Sequence, residues 1–516
     1  MKFKYIFVVV VIALICGSIY IVYENNHKKK QSVSDDTYID EEIKNLDIVE
    51  NMKIGISNFD TMNPLATNND EIINIDKIVF EPLVNITADF HVEPCLAKDV
   101  KRIDETHYEI TLDKESKWAD GTAFIAEDVK YSIDRIKEGN SIYKSMVEQI
   151  ESTEILNDET IKLNLSSPVK FIEYNLNFPI VSSRYYEGED FYSSAKIPLG
   201  TGMYRISSID ERNILLVRND RWHCRDGVIP RTKTITVIKY GSAGEIFNTF
   251  KLNNLDIINT NIHNYQDYIG TMGYNRREYK GRNYEFISIN CNDAIMSDVH
   301  IRKACNLAIN RNYIVQNVLG NTKMVSKTPL DYGSYMNYED NIPDYNIDNS
   351  KKELANAGWS FDGDKWTKDG NELVITLTCR NDDGERMAAA EAVKTNLADA
   401  GIKVNVQYVN ADRYYQYLNE KDYQMIMTGI TNSLNPDLSF FYGDGNIANY
   451  NNQGIKDYIN DLSNYQSIQK AANEEVPYIG LYRNKCYMIF NANVGGKIAS
   501  NCFNMFTNFN TWYRQQ

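Results

Sequence analysis

The most constraining feature of the sequence is the segment 118–139, which reads WADGTAFIAEDVKYSIDRIKEG. A tryptophan leads straight into an Asp-Gly pair, and such a pair is strong punctuation for a tight turn. After the turn, apolar residues recur at helical spacing at Val129, Ile133 and Ile136, and acidic residues occupy the first helical turn. Gly139 ends the pattern as a C-terminal cap does. The segment predicts an amphipathic helix that packs one face in a core and touches no ligand.

Length and composition predict a large globular protein that does not act on nucleic acid. A chain of 516 residues divides into roughly three domains, and 43% hydrophobic residues supply ample core. The formal net charge is −15, and no run of basic residues occurs beyond the N-terminus. Nucleic-acid binding needs clustered basic residues, so this charge pattern argues against a nucleic-acid partner. The 36 tyrosines fit biased codon usage in an AT-rich genome better than a stacking ligand site.

No pattern in the sequence points to catalysis or to a cofactor. The G-x-S-x-G, H-E-x-x-H and P-loop motifs do not occur, and the six histidines have no ligand spacing. Paired carboxylates such as Asp382 and Asp383 stand in a glycine-bounded turn, where a solvated loop is the ordinary role. Apart from Cys16, seven cysteines remain without a C-x-x-C pair, which allows one disulfide but favours no zinc site. We expect no enzyme activity, no metal and no cofactor.

The first 30 residues are typical of a targeting segment that lies outside the fold. An uncharged run at 5–23 has nearly the length needed to cross a bilayer as a helix. Cys16 suggests a lipoprotein cleavage site, but Ile15 occupies a position where such sites require a small residue. The sequence favours a retained membrane anchor over a lipid anchor, and a lipid anchor over a freely secreted form. All three put the chain outside the cytoplasm, with the polar, acidic residues 31–50 as a tether.

Alternating and helical patterns fill the rest of the chain. Strands are expected at 53–57, 108–112, 160–165, 234–240, 284–290, 373–379 and 402–408, with 160–165 in an edge hairpin. Helices are expected at 72–80, 298–320 and 388–400. The order strand, helix, strand in the last third has a connection long enough for a parallel crossover. These patterns predict an α/β protein.

Four motifs stand in an order that resembles one protein family. The first is the segment 118–139, with W-x-D-G and A-E-D-V-x-Y-S. The second is PLGTGMY at 198–204, in which Gly200 and Gly202 allow backbone conformations forbidden to other residues and predict a tight crossing between lobes. The third is the predicted helix at 298–320, which is similar to an R-x-A-x-x-x-A-I-D-R pattern.

The fourth motif is AGIKV at 400–404, and the resemblance extends from Met52 to the C-terminus. On these residues the chain is identified as a member of the extracytoplasmic solute-binding proteins of ABC importers, in the oligopeptide, dipeptide and nickel class. The resemblance implies an α/β, two-lobed periplasmic-binding-protein-like fold of the large type (class II, cluster C). It also implies mixed sheets and an extra strand-rich subdomain in lobe one.

Domain boundaries follow from the same resemblance. Lobe one is expected over 51–285 and 487–516, with the strand-rich subdomain inserted at 71–195, and lobe two over 286–486. Between 450 and 477 the chain has fewer residues than the family usually spends on two helices, so one helix is expected to be short. Two lobes joined by crossing strands leave a cleft at their interface, where ligands are usually buried.

The implied function is the capture of an oligopeptide, or of a peptide-sized solute, and its delivery to ABC permease subunits. The protein is expected to be a monomer that closes around its ligand and is held to the extracytoplasmic face of the membrane by its N-terminal helix. Two alternatives stay open. One is an importer component for another solute, such as an oligosaccharide or a metal chelate, and the other is a sensory or signalling ectodomain. The scarcity of histidine makes a metal chelate the least supported solute.

The expected ligand anchor is where the sequence departs from the family. Peptide binders of this class carry an acidic residue four positions before a proline, and it holds the amino terminus of the peptide. Counting back from Pro436, that position is Asn432, whose amide cannot neutralise an ammonium ion. Three outcomes remain open: a peptide anchored by Asp70, Asp437 or Asp444, a peptide with a blocked terminus, or a different solute.

Other candidate contacts also come from the resemblance. Asn68, Asn69 and Asp70 fall in the loop that lines the family's peptide cleft, because this stretch has the family's spacing. Tyr143, just after the signature helix, matches an aromatic residue that family members turn toward the ligand. A plain surface-loop role is the alternative for these residues. For Asn432 the alternative is a loop residue bonded to its own backbone.

Overall fold

The computed structural model describes residues 48–223, 227–339 and 342–516. The predicted anchor at 1–30, with Cys16 inside it, lies outside these residues and stays a prediction. Nearly all of the predicted tether lies outside them as well. Within the described ranges, no helix combines the length and the apolar character that spanning a bilayer requires.

Strands make up most of the regular structure, and we number them in chain order. The first twelve are β1 (Ile48–Val49), β2 (Asn51–Ser57), β3 (Val84–Ile86), β4 (Val92–Pro94), β5 (Ala97–Arg102), β6 (His107–Leu112), β7 (Ile150–Asn157), β8 (Thr160–Leu165), β9 (Tyr204–Ile209), β10 (Asn213–Arg218), β11 (Thr234–Tyr240) and β12 (Ile257–Thr260). The others are β13 (Tyr274–Ile289), β14 (Lys323–Val325), β15 (Ser360–Phe361), β16 (Trp366–Lys368), β17 (Asn371–Glu372), β18 (Val374–Arg380), β19 (Lys403–Val409), β20 (Met425–Thr431), β21 (Tyr478–Asn491), β22 (Val494–Gly495) and β23 (Tyr513–Gln515).

Helices are shorter and lie between these strands. They are α1 (Asp70–Val79), α2 (Ala126–Glu138), α3 (Lys144–Val147), α4 (Ala243–Lys251), α5 (Gln266–Ile269), α6 (Val299–Ala308), α7 (Arg311–Tyr313), α8 (Ile347–Asn356), α9 (Gly384–Asp399), α10 (Ala411–Glu420), α11 (Ser439–Tyr442), α12 (Gln453–Tyr458) and α13 (Tyr465–Glu475). Strand β1 belongs to a different unit from Glu50–Arg514, and that larger unit contains the sheets and the site described below. The six-residue α12 is the short helix expected after residue 450.

A sheet of eleven strands organises the larger unit. Its order is β19-β18-β20-β13-β21-β12-β2-β11-β10-β9, with β14 paired to β21. The pairs β2–β11 and β18–β19 are parallel, whereas β13 is antiparallel to both β20 and β21, so the sheet is mixed. Helix α9 connects β18 to β19. The predicted parallel crossover, and with it the α/β class, is confirmed.

Two long strands, β13 and β21, run through the middle of this sheet and pair with each other. Their register shifts between Lys280 and Tyr284, and again between Glu285 and Phe286. Such an irregularity leaves residues unpaired and bends the strand. The sequence predicted a strand only at 284–290, because the first half of β13 is mostly half-buried or exposed and has no apolar alternation.

Three large apolar cores pack along these elements. One surrounds β2, β11 and α1, a second lies among residues between Ile287 and Tyr482, and a third fills the space between α2 and the sheet β5-β6-β8-β7. Trp118 and the apolar face of α2 are buried in the third core, so the predicted packing role of this segment is confirmed. The predicted edge hairpin at 160–165 is confirmed, because β8 pairs with β7 and the more exposed β7 forms the edge of this sheet.

The predicted helix at 298–320 is broken into three pieces. Helix α6 ends at Ala308, and Asn310 then adopts a non-helical conformation and caps α7 by accepting a hydrogen bond from the Tyr313 amide at 3.0 Å. Residues 314–318 continue as one π-helical turn. Apolar spacing persists across the break, so the pattern alone could not locate it. The cap is a property of the single Asn310 side chain.

Gly200 and Gly202 serve a close approach to α1, and the predicted crossing between lobes is corrected. A Cβ atom at Gly200 would lie 1.9 Å from the Val79 carbonyl oxygen, and one at Gly202 would lie 2.7 Å from it. Neither glycine has a positive φ. The Gly202 amide donates a hydrogen bond to the Val79 carbonyl at 2.9 Å. The two glycines therefore fix the C-terminal end of α1, the helix that also borders the site described next.

Candidate functional site

A cavity of about 930 Å³ lies where α1 meets the segments 142–149 and 167–177 and the loop that follows β20. Strand β13 contributes Arg282 to its wall, and the C-terminal region contributes Phe503. This volume falls in the range of small-molecule binding sites. A second cavity of about 900 Å³, beside β5 and β6, is lined by none of the predicted contact residues.

The structure brings five of the six predicted contact residues to the 930 Å³ cavity. These are Asn68, Asp70, Tyr143, Asn432 and Asp437. Asn69 is not among the lining residues. Its side-chain oxygen accepts a hydrogen bond from the Glu71 amide at 2.8 Å, and its Nδ2 donates to the Ser57 carbonyl at 2.8 Å. Asn69 is thus the N-cap of α1 and ties the helix to the end of β2.

The three aspartates considered as anchors for an amino terminus differ in what they contact. Asp444 does not line the cavity and is paired with Lys456 at 2.5 Å. Asp437 lines the cavity, but its carboxylate accepts a hydrogen bond from the Ser439 amide at 2.9 Å and lies 3.8 Å from Lys170 Nζ. Asp70 is exposed in the first turn of α1, and the structure gives its carboxylate no hydrogen bond or ion pair within the described chain. Asp70 is therefore the one of the three whose charge is left for a ligand.

Asn432 contacts a buried arginine, Arg483, through its side chain. The side chain of Asn432 is 8% exposed; its Nδ2 donates to the Pro329 carbonyl at 2.7 Å, and its Oδ1 accepts from Arg483 Nη1 at 3.2 Å. These partners lie outside its own loop, so the alternative of local backbone bonding is not what the structure contains. An amide suits this position because it donates to a carbonyl and accepts from a guanidinium at once. A carboxylate here would contact Arg483 before any ligand.

Arg483 is fully buried and forms no ion pair within the described part of the chain. Its guanidinium carbon lies 4.7 Å from the ring centroid of Tyr284 and 4.9 Å from that of Tyr332. Its donors also reach oxygens of Ser326, Thr328, Pro329 and Arg282. Burial lowers the pKa of Arg483. Arg483 therefore places a positive charge directly behind the cavity wall, where it is satisfied by hydrogen bonds and not by an anion of the described residues.

Asp76 lines a smaller cavity of about 580 Å³ that shares Lys77, Tyr143 and Phe503 with the first. Asp76 is 3% exposed, and neither of its carboxylate oxygens has a hydrogen-bond partner within the described residues. Burial raises the pKa of Asp76 well above its usual range, and burial together with Asp76 raises the pKa of Tyr143. An unsatisfied buried carboxyl group is costly to a fold and marks this cavity as unusual.

Replacing Asp76 by leucine is expected to raise the free energy of unfolding at neutral pH by about 1–3 kcal/mol, because an unsatisfied buried polar group is removed. Since the pKa is raised in the folded state, the folded wild type keeps a proton that the unfolded chain has lost. Wild-type stability therefore falls as pH rises from about 4 toward the folded-state pKa. The variant should lack this fall. Urea unfolding at about pH 5 and about pH 8 measures both effects.

The control for Asp76→Leu is Asp364→Asn, which changes an exposed carboxylate of the same type. That substitution should alter stability by less than about 0.5 kcal/mol. A leucine variant that is less stable than wild type at both pH values would show that Asp76 has a partner, such as an ordered water, that stabilises its charge.

The described residues contain neither a candidate metal-binding cluster nor a disulfide. No group of three or more His, Cys, Asp or Glu side chains within the described residues could hold a metal ion. The six described cysteines are free, and burial raises the pKa of the Cys502 thiol at the cavity to about 12. The one disulfide that the sequence allowed does not occur among these six.

The sequence profile of the bacterial extracellular solute-binding proteins, family 5 middle, matches residues 91–452. The chain belongs to this family. The match includes all four motifs on which the resemblance was argued, and it also includes the loop of Asn432. Family 5 membership confirms the predicted extracytoplasmic solute-binding class.

Known proteins of similar sequence and structure align with this family 5 protein over most of its length. The oligopeptide-binding protein AppA of Bacillus subtilis (strain 168) is 23% identical over 476 residues, which cover 84% of this chain and 86% of AppA. The structure of AppA in complex with a nonapeptide aligns with a TM-score of 0.54 at 21% identity, over 91% of this chain and 100% of AppA.

Two further solved structures align with higher scores. MppA, a periplasmic murein tripeptide binding protein in its unliganded open form, gives a TM-score of 0.78 at 18% identity, over 91% of this chain and 99% of MppA. A nickel ABC transporter protein of Bacillus halodurans gives 0.77 at 18% identity, over 90% of this chain and all of that one. These likenesses confirm the two-lobed, mixed-sheet fold.

Four residues at or behind the cavities of this family 5 protein were not predicted from the sequence. They are Asp76, Lys77, Arg282 and Arg483. Asp76 and Lys77 are polar positions in an amphipathic helix, where a solvent-facing role is the usual reading. Lys77 reaches the site through its hydrogen bond to the Phe503 carbonyl in the C-terminal region, and no local spacing encodes such a contact.

Proposed function

We propose that this family 5 protein captures peptides, or solutes of peptide size, in the 930 Å³ cavity and delivers them to the permease subunits of an ABC importer. The observation that carries the proposal is the convergence of Asn68 and Tyr143, near the start of the chain, with Asn432 and Asp437, near its end, on one cavity. AppA, which binds oligopeptides and was solved with a nonapeptide, supports peptides as the first class to test.

The protein would work as a monomer at the extracytoplasmic face, held there by the uncharged run at 5–23. Lipidation at Cys16 is the competing arrangement. Labelled fatty acid incorporated at Cys16, or a mature protein that begins there, would replace the anchor proposal with the lipoprotein one.

The function is tested by native mass spectrometry of the protein with a mixture of short peptides. Capture of peptides, and their absence from a variant with the cavity blocked by Ser433→Trp, is the expected result. Ser433 is exposed at the cavity, so an indole there fills space without disturbing a core. Oligosaccharides and nickel with histidine form the comparison arms, because a nickel transporter protein is among the similar structures. Binding of one of these, and of no peptide, would overturn the peptide proposal.

The proposed lobes keep the boundaries expected from the sequence, 51–285 with 487–516 and 286–486. Two separate cores, one around β2 and β11 and one between Ile287 and Tyr482, support this division. The irregular pairing of β13 with β21 falls next to both boundaries, and we place the hinge there. Since α1 packs in the core of β2, the inserted subdomain would begin after α1 rather than at residue 71.

Ligand binding is expected to close the cavity, which would reduce the radius of gyration in solution scattering. By mass action, a peptide at a hundred times its Kd should also raise the free energy of unfolding by about 2.7 kcal/mol. Scattering and thermal unfolding with and without peptide measure the two effects, with Ser433→Trp as the control that should show neither. A tightly bound, saturating peptide that left the scattering unchanged would argue against a hinge.

A further inference from the structure

The cavity carries an excess of positive charge in a chain that is acidic overall. Its charged lining residues are Asp70, Lys77, Lys170, Arg282 and Asp437. Lys170 and Asp437 offset each other across 3.8 Å. The remaining charged lining residues are two cations, Lys77 and Arg282, and one carboxylate, Asp70. This local excess of positive charge occurs in a protein whose formal net charge is −15. The composition of the chain does not explain this local surplus.

Lys77 and Arg282 come from different elements and neither forms an ion pair within the described residues. Lys77, on α1, donates through Nζ to the Phe503 carbonyl. Arg282, on β13, donates through Nη1 to the Asn432 carbonyl at 3.2 Å. A guanidinium has five N–H donors, and this is the one hydrogen bond of that side chain that the structure shows. Both cations therefore keep donors for a group inside the cavity.

The two cations also lie close enough to repel each other. Burial, and next the charge of Arg282, lower the pKa of Lys77 to about 8. Other titratable groups near Lys77 are Asp76, Cys502, Asp70 and Tyr143, of which Cys502 and Asp70 raise its pKa without restoring it. Arg483, which has no anionic partner among the described residues, donates to the Arg282 carbonyl at 3.1 Å and adds positive charge behind the cavity wall. The cavity thus holds cations whose mutual repulsion an anion would relieve.

We propose that Lys77 and Arg282 form a subsite for a carboxylate group of the ligand. The proposal rests on the proposed function and adds to it the charge and direction of the ligand. A carboxylate fits a guanidinium with two parallel hydrogen bonds, and an ammonium ion placed beside these two cations would be repelled. The amino terminus of a peptide would therefore point away from this end of the cavity.

Asp70 offers a carboxylate with which the amino terminus of the peptide would pair. Asp70 and Lys77 both line the cavity and lie at opposite ends of α1, seven positions apart. At the helical rise this is about 10 Å, which equals the extended length of about three residues. A tripeptide bound along α1, with its ammonium near Asp70 and its carboxylate between Lys77 and Arg282, satisfies both ends.

Trialanine with a free carboxyl terminus and trialanine amide are the probes that test the subsite. Calorimetry on the wild type is expected to give an affinity for the free acid that is about 10 to 100 times that for the amide, since hydrogen bonds to charged groups are worth this much. In Lys77→Met and in Arg282→Met the ratio should fall to about threefold or less. Lys114→Met, at an exposed position away from the cavity, is the matched control and should keep the wild-type ratio.

A side-chain carboxylate is the other possible source of the same chemistry. The amide peptides Ala-Ala-Glu-NH₂ and Ala-Ala-Gln-NH₂ separate the two sources, because they differ only in that group. A preference for glutamate that disappears in Arg282→Met would assign the subsite to a side chain, and a preference confined to the free carboxyl terminus would assign it to the chain end.

Proton uptake on binding gives a second readout in the unmodified protein, which guards against variants that fail to fold. A carboxylate beside Lys77 should raise its pKa, so at about pH 8 the free acid should bind with uptake of about half a proton. The amide should bind with none. Calorimetry in two buffers of different ionisation enthalpy measures this number.

The binding measurements distinguish an incorrect carboxylate subsite from an incorrect proposed function. Equal affinity for acid and amide, with no proton uptake, would overturn the carboxylate subsite while leaving peptide capture intact. Absence of binding for every peptide, with the protein folded, would overturn peptide capture itself, and the subsite with it.

Discussion

Replacement of Arg483 by methionine is expected to lower the free energy of unfolding by about 4 kcal/mol. Arg483 is buried and donates hydrogen bonds to several buried oxygens, including the Pro329 carbonyl at 2.6 Å. Methionine fills part of the volume but removes the donor to Asn432 Oδ1 and to the Ser326 hydroxyl oxygen, for which the described residues offer no other donor, and each stranded buried group costs about 1–3 kcal/mol. The stacking of the guanidinium between Tyr284 and Tyr332 is lost as well. Urea unfolding followed by circular dichroism measures the change.

Two variants sharpen the test of Arg483. Arg483→Lys keeps the charge but not the planar set of donors, so it should recover only part of the loss. Arg380→Met removes an arginine whose ion pair with Asp382 reaches the surface, and such pairs contribute about 0–1 kcal/mol. If Arg483→Met and Arg380→Met lower the free energy of unfolding by the same amount, water must reach the Arg483 site and satisfy its hydrogen-bond partners, which would contradict its burial.

Replacement of Asp128 by alanine is expected to cost about 3–5 kcal/mol of unfolding free energy. Asp128 is 1% exposed, and its carboxylate accepts hydrogen bonds from Trp118 Nε1 at 3.0 Å and from the Ile125 amide at 3.1 Å. The other oxygen accepts from the amide and the hydroxyl of Ser183, each at 2.8 Å. Alanine would leave the buried Trp118 donor and three partly buried donors without their acceptor, and it would uncap α2. Thermal and urea unfolding measure the loss.

Neighbouring Glu127 supplies the matched control, because it is exposed in the same helical turn. Glu127→Ala should change the unfolding free energy by less than about 1 kcal/mol, the usual effect of one charge near a helix N-terminus. Asp76 is expected to show the opposite change in unfolding free energy, because both aspartates are buried but, among the described residues, only Asp128 receives hydrogen bonds. A destabilising effect of similar size at Asp76 and Asp128 would mean that burial alone, rather than hydrogen-bond satisfaction, decides the outcome.

The fold was predictable wherever a repeating pattern carries the structure. The apolar spacing of α2 and the alternation of β8 and β11 gave these elements within a residue, because one face of each packs in a core. Single side chains and long-range pairing were not predictable. Asn310 breaks a helix by capping the next one, and the first half of β13, which has no apolar alternation, is a strand because β21 pairs with it.

The site was predictable as a location but not as chemistry. Spacing relative to Pro436 led to Asn432, which does line the cavity. Spacing could not reveal that the Asn432 amide is shared between Pro329 and Arg483, since those residues come from distant parts of the chain. The positive charge of the cavity has the same origin, because Lys77 and Arg282 are brought together only by the tertiary structure.

The pairing of β13 with β21 has a consequence for how the transporter is loaded. A ribbon of two hydrogen-bonded strands cannot slide along itself without breaking its ladder, but it twists readily. If the lobes move about the interruption near Lys280, their motion is confined to rotation about one axis, unlike domains joined by loose segments. Every cycle would then end in the same closed shape, whichever solute is inside. The permease could recognise that shape alone and leave the choice of cargo entirely to the cavity.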